Sequence, residues 1–391
     1  MSSSTDTSHA PRAGVVVMLG GMDGGPLEQM LRRALEAAAL DTLERAMGTG
    51  RFGQALLLTD AAPVLPVPAG VIVETDAEAG VTSDAPFQYG HRLQDAVRRY
   101  GIDVMLYSGA GSAPLLDGPA LAALCDPVLA PIDGERGRCV TNNRFSADLF
   151  ALAPASLLAR LDPSPANDNA VPRRLRDQHG VEVSEPPRTL ETQYNLDSPA
   201  DLIALGLSGR AGPRLTAVIA EAGLDATRMR RAAQLFTERT AEVLVAGRVS
   251  SRTWQYLETE AASRIRLLAE ERGMQAAGTD ADGTARSLLG QWIAEAGAER
   301  AFGTLLPELC DAAFIDIRPA LVHLGIRPSR ADRFAADLGF SDAIEDPRLR
   351  ALVEAANASP VPVVLGGHSL VGGVIPLINQ WAWDERDAGR A

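Results

Sequence analysis

Four glycines and an aspartate are clustered within six residues of the segment Val15–Gln29, which reads VVVMLGGMDGGPLEQ. An apolar run precedes the glycines and an amphipathic stretch follows them. A strand, a glycine-rich turn and a helix in this order form a phosphate-binding cradle, because backbone amides point into the turn and the helix dipole favours anions. Gly20, Gly21, Gly24 and Gly25 are therefore candidate nucleotide-binding residues. A tight strand-to-helix turn that holds no ligand is the alternative.

The spacing of these glycines excludes two common nucleotide motifs. Neither Gly20 nor Gly21 starts the i, i+2, i+5 glycine series of a dinucleotide-binding fold, which disfavours an oxidoreductase. A P-loop needs Lys and then Ser or Thr after its last glycine, and Pro26 and Leu27 stand there instead. All 37 basic residues are arginines, so catalysis through a lysine Schiff base is also excluded.

Segments in the first half of the chain resemble, in order, the motifs of one enzyme family. VMLGGMDGGP at 17–26 resembles the turn under the triphosphate in nucleotidyltransferases, the superfamily that contains molybdenum-cofactor guanylyltransferase and phospholactate guanylyltransferase. GSAPLLDGPALAAL at Gly111–Leu124, TNNRFSADLFAL at Thr141–Leu152 and TQYNLDSPADLIAL at Thr192–Leu205 resemble three later segments. The resemblance spans residues 13–206 and implies a Rossmann-like GT-A-type α/β fold, in which a mostly parallel sheet carries flanking helices.

The resemblance also implies where a nucleotide and its acceptor would bind. Ser112 stands where the family has a metal-binding aspartate before Pro-Leu, and it becomes a candidate binding residue. Asn142 and Asn143 lie on the acceptor side, where they would bind a substrate hydroxyl or phosphate. A role in a local turn is equally compatible with the two asparagines.

Three carboxylates are the candidate catalytic residues. Asp23, Asp148 and Asp197 lie on segments expected at the carboxyl edge of the sheet, where open α/β folds bind ligands. We expect a Mg²⁺ ion held by Asp148 and Asp197, because such an ion would neutralise the triphosphate and the leaving pyrophosphate.

Two of these carboxylates have structural alternatives. Asp197 precedes the tetrapeptide SPAD, in which Ser198 is an N-cap, proline takes the first helical position and Asp201 closes a capping box. Helix initiation alone would account for that segment. Asp148 would otherwise be a solvent-facing acid on a strand.

The elements that would position these residues follow from hydrophobic periodicity. Strand-like runs at Val15–Leu19, Ala55–Thr59, Val71–Glu74 and Val104–Tyr107 alternate with the amphipathic stretches Pro26–Met47 and Tyr89–Tyr100. This alternation predicts a largely parallel sheet covered by helices. We expect a disordered tail at residues 1–12 and an α/β domain at residues 13–206.

The hydrophobic pattern of the chain changes after the segment GLSGRAGP at Gly206–Pro213, which is rich in glycine and proline and marks a break between elements. Apolar residues at helical spacing predict a mainly helical domain over residues 213–391, which would cap the site or form an interface between copies of the chain. One helix is expected to cover Trp254, Leu257, Ala261, Ile265 and Leu268. The segment RIRLLAEERGMQAA at Arg264–Ala277 would be a solvated helical face. The segment Val361–Gly367 has strand character.

Charged residues of this half allow two interpretations. Asp316, Arg318, Arg330, Asp332 and Arg333 would form Arg–Asp networks between helices, or they would line an anion site. The segment GGHSLVGG at Gly366–Gly373 suggests a hydrolase nucleophile elbow, but no histidine follows Ser369, so a Ser-Asp-His triad in that order is excluded.

Composition narrows the function classes further. A net charge of −13 argues against nucleic-acid binding, and no apolar run reaches the roughly 20 residues that span a bilayer. Three widely spaced cysteines indicate neither a zinc site nor a disulfide framework, which favours a cytoplasmic protein. The sequence predicts a nucleotidyltransferase that moves a nucleotidyl group from a nucleoside triphosphate to a phosphate or hydroxyl of a small molecule. The alternative is a protein that binds nucleotide or nucleotide sugar on the same fold without catalysis.

Overall fold

A computed structural model describes residues 13–81, 86–130 and 137–389 of the chain. The predicted tail, residues 1–12, lies outside the described residues. The chain divides into two compact units: Met1–Gly21 with Leu35–Gln193, and Met22–Ala34 with Tyr194–Ala391. Each unit has its own sheet. Among the described residues, no helix has the length and apolarity needed to cross a membrane.

The first unit is built on a seven-stranded sheet. Its strands are β1 (Ala13–Leu19), β2 (Gln54–Thr59), β3 (Val71–Thr75), β4 (Val104–Gly109), β5 (Arg138–Thr141), β6 (Leu149–Ala153) and β7 (Glu182–Ser184). Their order across the sheet is β3-β2-β1-β4-β6-β5-β7. β6 runs antiparallel to both neighbours, and the other pairings are parallel.

The helices of the first half follow these strands along the chain. They are α1 (Pro26–Gly48), α2 (Tyr89–Tyr100), α3 (Gly118–Ala123), α4 (Asp126–Leu129), a 3₁₀ helix (Ala155–Arg160), α5 (Val171–His179) and α6 (Leu190–Gln193). The four predicted strands and two predicted helices are confirmed. The strands form where predicted because continuous apolar runs suit a sheet that is covered on both faces. Val15, Val16 and Val17, for example, have no exposed surface.

The second unit contains a four-stranded, all-parallel sheet. Its strands are β8 (Glu242–Gly247), β9 (Arg264–Ala269), β10 (Ala312–Asp316) and β11 (Val363–Gly366). They lie in the order β11-β10-β8-β9. The predicted strand near Val361–Gly367 is thus confirmed as β11.

Helices make up most of the second unit, as predicted. They are α7 (Pro199–Ser208), α8 (Pro213–Ala222), α9 (Thr227–Gln234), α10 (Ser251–Glu260), α11 (Met274–Ala277), α12 (Leu288–Ala296), α13 (Ala298–Arg300), α14 (Arg318–His323), α15 (Arg330–Leu338), α16 (Pro347–Asn357) and α17 (Ile375–Ala388). Two 3₁₀ helices (Leu235–Thr237 and Ser341–Ala343) and two π-helical turns (Ala301–Leu305 and Leu370–Val374) complete it. One core cluster, which includes Phe302, Ile315 and Leu352, is buried among these elements.

The expectation of a helix through Ile265 and Leu268 is wrong. The helix α10 ends at Glu260, and Arg264–Ala269 forms the edge strand β9. The alternation Arg-Ile-Arg-Leu at 264–267 is the period-two pattern of a half-exposed strand, and the three-residue spacing of Ile265 and Leu268 concealed it. Arg264 and Arg266 therefore lie on a strand and not on the solvated helical face expected for this segment.

The division between the units differs from the expected one near residue 206. Residues 194–206 belong to the second unit, as does the segment Met22–Ala34. The helix α7 packs against α8, α15 and α17 of that unit, so its apolar face is buried there. The segment Thr192–Leu205, which carries part of the family resemblance, thus spans the division.

Candidate functional site

The strand order of the first unit reverses next to β1, where β2 and β3 lie on one side and β4 on the other. Open α/β sheets bind ligands at such a point, beyond the carboxyl ends of the strands. The loop that leaves β1 begins at Gly20, and the loop that leaves β4 contains Ser112. The backbone N–H of Ala110 donates to the carbonyl of Met18 at 3.0 Å, which holds the two strand ends side by side.

A carboxylate occupies part of the predicted cradle at Gly20 and Gly21. The N–H of Gly21 donates to Oδ2 of Asp60 at 2.9 Å, and a Cβ on Gly20 would lie 3.4 Å from the same oxygen. Gly21 has φ of +70°, a conformation that glycine adopts without strain. An anion that bound these amides would have to displace Asp60 or bring a cation with it, because two negative groups repel each other at this range.

Gly24 and Gly25 lie against the side chain of Glu28, which leaves little room for a Cβ at position 24. The side chain of Glu28 folds back against them, and a Cβ on Gly24 would lie 2.9 Å from the Glu28 carboxyl carbon. Glu28 is 6% exposed, and its Oε2 has no hydrogen-bond partner among the described residues. Close approach of this buried carboxylate, together with φ of +151° at Gly24, accounts for a glycine at this position. Asp23, a predicted catalytic residue, is exposed in the same loop.

Ser112 lies in a tight, buried turn at the end of β4. Its N–H donates to the carbonyl of Gly109 at 3.0 Å, and its side chain is 3% exposed. The next residue, Ala113, has φ of +53°, which is the one positive φ of a non-glycine residue in the part of the chain that the structure describes. This left-handed conformation costs an alanine about 1 kcal/mol, so the rest of the turn must impose it.

The structure brings Asn142 and Asp148 together at the carboxyl edge of the first sheet. Nδ2 of Asn142 donates to Oδ1 of Asp148 and, at 3.3 Å, to the carbonyl of Thr192. Oδ1 of Asn142 is buried without a hydrogen-bond partner among the described residues. The carbonyl of Asp148 accepts from the N–H of Gly109 at 2.8 Å, which ties β6 to the end of β4.

Asn143 stabilises the turn that follows β5. Its Oδ1 accepts a hydrogen bond from the N–H of Phe145 at 3.1 Å, which is the local pattern of an Asx turn. Of the two predicted asparagines, Asn142 is therefore the one that contacts a predicted catalytic residue among the described side chains.

Asp197 belongs to the second unit, at the start of α7. Its Oδ1 accepts from Nδ2 of Asn195 at 2.8 Å, and its N–H donates to Oδ2 of Asp201 at 2.8 Å. The same Oδ2 accepts from the N–H of Ser198 at 2.7 Å, so the predicted capping interaction of Asp201 is present. Helix initiation accounts for the segment as the sequence suggested.

The Mg²⁺ prediction rests on two carboxylates, Asp148 and Asp197. Within the described ranges, no group of three or more His, Cys, Asp or Glu side chains is placed to hold a metal ion. Asp148 lies in the first unit and Asp197 in the second. Mg²⁺ is commonly held by one or two carboxylates and substrate phosphates, so the prediction depends on an ion that arrives with the nucleotide.

A half-buried acid near the end of β4, Asp168, is not among the residues expected from the sequence. The hydroxyl of Tyr107 donates to Oδ2 of Asp168 at 3.1 Å, and this oxygen would lie 3.8 Å from a Cβ on Gly109. Burial raises the pKa of Asp168, and the Tyr107 hydrogen bond opposes that rise. No motif marks Asp168, because it lies in a polar loop that reads PANDNA and looks like an ordinary connection.

The solved structures that are similar to this protein cover about half of its chain. No protein-family model matches it, and no curated protein matches it. A cytidylyltransferase from Leptospira borgpetersenii serovar Hardjo-bovis (strain JB197) is similar to 55% of this chain over 95% of its own length, with 17% identity and a TM-score of 0.36. The 2-C-methyl-D-erythritol 4-phosphate cytidylyltransferase from Thermus thermophilus matches 55% of this chain over 100% of its own length, with 12% identity and a TM-score of 0.29.

A third solved structure, CMP:2-keto-3-deoxy-manno-octonic acid synthetase complexed with CTP, matches 45% of this chain over 90% of its own, with 11% identity and a TM-score of 0.29. Two of these three proteins are cytidylyltransferases by name. Likenesses with TM-scores this low do not decide an activity. The narrower resemblance to molybdenum-cofactor guanylyltransferase stays a prediction.

Proposed function

We propose that the first unit binds a nucleoside triphosphate at the carboxyl edge of its sheet and transfers the nucleotidyl group to a phosphate or hydroxyl of a small molecule. The observation that carries the proposal is the reversal of strand order between β1 and β4. The loops that leave these two strands carry the pair Gly20 and Gly21 and the buried residue Ser112. A crevice at such a reversal is the usual ligand position of an open α/β sheet.

The residues at this edge would act by binding and orientation. The amides of Gly20 and Gly21 would face the triphosphate, and Asn142 would hold the Asp148 carboxylate in a fixed rotamer through their hydrogen bond. Alignment of two reactants contributes a large part of such a rate enhancement, and an acceptor that is already a phosphate needs little base catalysis. A bound Mg²⁺ would neutralise polyphosphate charge.

Pyrophosphate release tests the transfer directly. The protein is offered each nucleoside triphosphate with Mg²⁺ and a panel of sugar phosphates and alcohols. We expect release with one nucleotide and one acceptor class, and at least about a tenfold loss in Asp148→Asn. Asp177→Asn, which changes an exposed carboxylate on α5, is the matched control and should keep full activity. Absence of release with every nucleotide would contradict the transfer.

A second candidate is nucleotide binding without turnover. Two features favour this candidate: Asp60 accepts the Gly21 amide hydrogen bond, and Ser112 has a neutral side chain. Both leave less positive charge and fewer free donors to stabilise the negative charge of the triphosphate during transfer. Nucleotide would then raise the melting temperature of the protein without releasing pyrophosphate. The variant Asp60→Asn tests whether nucleotide binds at the amides of Gly20 and Gly21 or adventitiously elsewhere. Removal of the competing carboxylate should strengthen the binding of nucleotide in the absence of metal. An unchanged affinity in Asp60→Asn would show that the amides of Gly20 and Gly21 do not hold the phosphates.

A further inference from the structure

A cavity of about 250 Å³ lies within the second unit and is lined by three arginines. Arg318 lies just beyond the end of β10, and Arg330 and Arg333 lie on the first turn of α15. Asp197 and Ser198 at the start of α7 and Ser369 beyond β11 complete its polar lining. These elements all belong to one compact unit.

The place of the cavity in the second sheet is that of a ligand site. The sheet is parallel, and its strand order reverses between β8 and β10. The lining residues Arg318, Gly367 and Ser369 follow the carboxyl ends of β10 and β11, the edge at which open parallel sheets bind ligands. The positive end of the α7 dipole, marked by Ser198, adds an attraction for anions.

Arg318 has hydrogen-bond acceptors within the protein for only one of its two terminal guanidinium nitrogens. Nη2 of Arg318 donates to both carboxylate oxygens of Asp337 at 2.7 Å, and the Asp337 side chain is fully buried. Nη1 of Arg318 is also buried but has no hydrogen-bond partner among the described residues. A buried guanidinium nitrogen without an acceptor costs about 1 to 3 kcal/mol, which a bound oxyanion would offset.

The cations in the cavity outnumber the acids that line it. Three arginines and one acid, Asp197, line it, and the nearby carboxylate of Asp337 is engaged by Arg318. Burial lowers the pKa of Arg333, and the positive charges of Arg318 and Arg330 lower it further, against the opposing effect of Asp337 and Asp280. Like charges are therefore held together here, an arrangement that an anion would stabilise.

We infer that this cavity binds the phosphoryl group of a small phosphorylated molecule. Arg318, Arg330 and Arg333 supply planar guanidinium donors suited to a tetrahedral dianion, and a monocarboxylate would neutralise less of their charge. The volume leaves room for a short organic group beside the phosphate. The inference does not depend on the transfer reaction proposed for the first unit.

All four tryptophans of the chain, Trp254, Trp292, Trp381 and Trp383, lie in the second unit, so their fluorescence reports its unfolding. Thermal unfolding is followed in potassium phosphate and in potassium chloride of equal ionic strength, which cancels general screening. We expect a saturable rise of the melting temperature with inorganic phosphate. No saturable rise would overturn the inference.

Two arginine variants locate the phosphate. Arg333→Gln and Arg330→Gln should each weaken phosphate binding about tenfold or more, whereas Arg300→Gln, an exposed change on α13, should not alter it. Without phosphate, Arg333→Gln should unfold at the same or a higher temperature, because it removes repulsion between like charges. If Arg333→Gln destabilised the phosphate-free protein and left phosphate affinity unchanged, the arginines would be a structural Arg–Asp network and the inference would be wrong.

Discussion

The buried carboxyl group of Asp201 should make the stability of the second unit fall as pH rises. Asp201 is fully buried at the start of α7, and burial raises its pKa to about 7 from a usual value of 3.8. Its Oδ2 accepts hydrogen bonds from the backbone N–H groups of Asp197 and Ser198 and from the hydroxyl of Ser369 at 3.1 Å. These bonds lower the pKa, but they do not cancel the cost of a buried charge.

The sign and size of the effect follow from proton linkage. Below about pH 4 the carboxyl group is protonated in both the folded and the unfolded chain, and it causes no pH dependence. Between about pH 4 and pH 7 the unfolded chain loses this proton while the folded chain keeps it, so the free energy of unfolding decreases. A difference of about three pH units, at about 1.4 kcal/mol for each, gives a total loss of about 4 kcal/mol above pH 7.

The substitution Asp201→Asn tests this reasoning, because asparagine keeps an acceptor oxygen and carries no charge. Urea unfolding is followed by tryptophan fluorescence, which reports the second unit. We expect the variant to gain stability over the natural protein by about 2.5 kcal/mol between pH 5 and pH 8. Other titrating groups, such as Asp337, are common to both proteins and cancel in the difference.

The control is Asp342→Asn, which removes an exposed carboxylate of the same unit. Its stability should follow that of the natural protein across the pH range. Parallel curves for Asp201→Asn and the natural protein would refute the assignment, since they would mean that Asp201 has the same pKa in the folded and unfolded states.

Three further outcomes can be measured. Gly247→Ala should destabilise the second unit by about 3 kcal/mol or more in urea unfolding, because φ at Gly247 is +116° and the new Cβ would lie 2.7 Å from the backbone oxygen of Asp316. The control is Gly303→Ala, whose new Cβ meets nothing within 4 Å and should leave the free energy of unfolding nearly unchanged. Arg92→Met should cost the first unit about 3 kcal/mol, measured by circular dichroism during urea unfolding, because it leaves the buried carboxylate of Glu74 without its buried cation. The three cysteine thiols are free and buried, and burial raises the pKa of each, so a thiol reagent at about pH 8 should label none of them in the native protein and all three in urea.

Local patterns in the sequence predicted much of the first unit. The runs that became β1 to β4 are apolar and bounded by Gly, Pro or Asp, and a buried parallel strand has that composition in any protein. The SPAD segment predicted the start of α7 because a capping interaction joins residues only three positions apart. Such features depend on neighbours along the chain, and a sequence displays those directly.

The second unit was harder to predict for a physical reason. A short apolar run has nearly the same pattern in a strand and in a buried helix, and apolar residues at helical spacing concealed the edge strand β9. The segment Ala312–Asp316 became a central strand because β8 and β11 pair with it on either side. Those partners lie about 50 to 70 residues away in the sequence.

The sequence by itself determined the residue types available for chemistry: arginine as the basic side chain, four glycines after β1, and a capped helix at Pro199. Only the tertiary structure decided which charges meet. It placed the carboxylate of Asp60 on the amide of Gly21, and it gathered Arg318, Arg330 and Arg333 around one cavity. Electrostatic energy depends on distance and burial, and distant parts of a chain acquire both only when it folds.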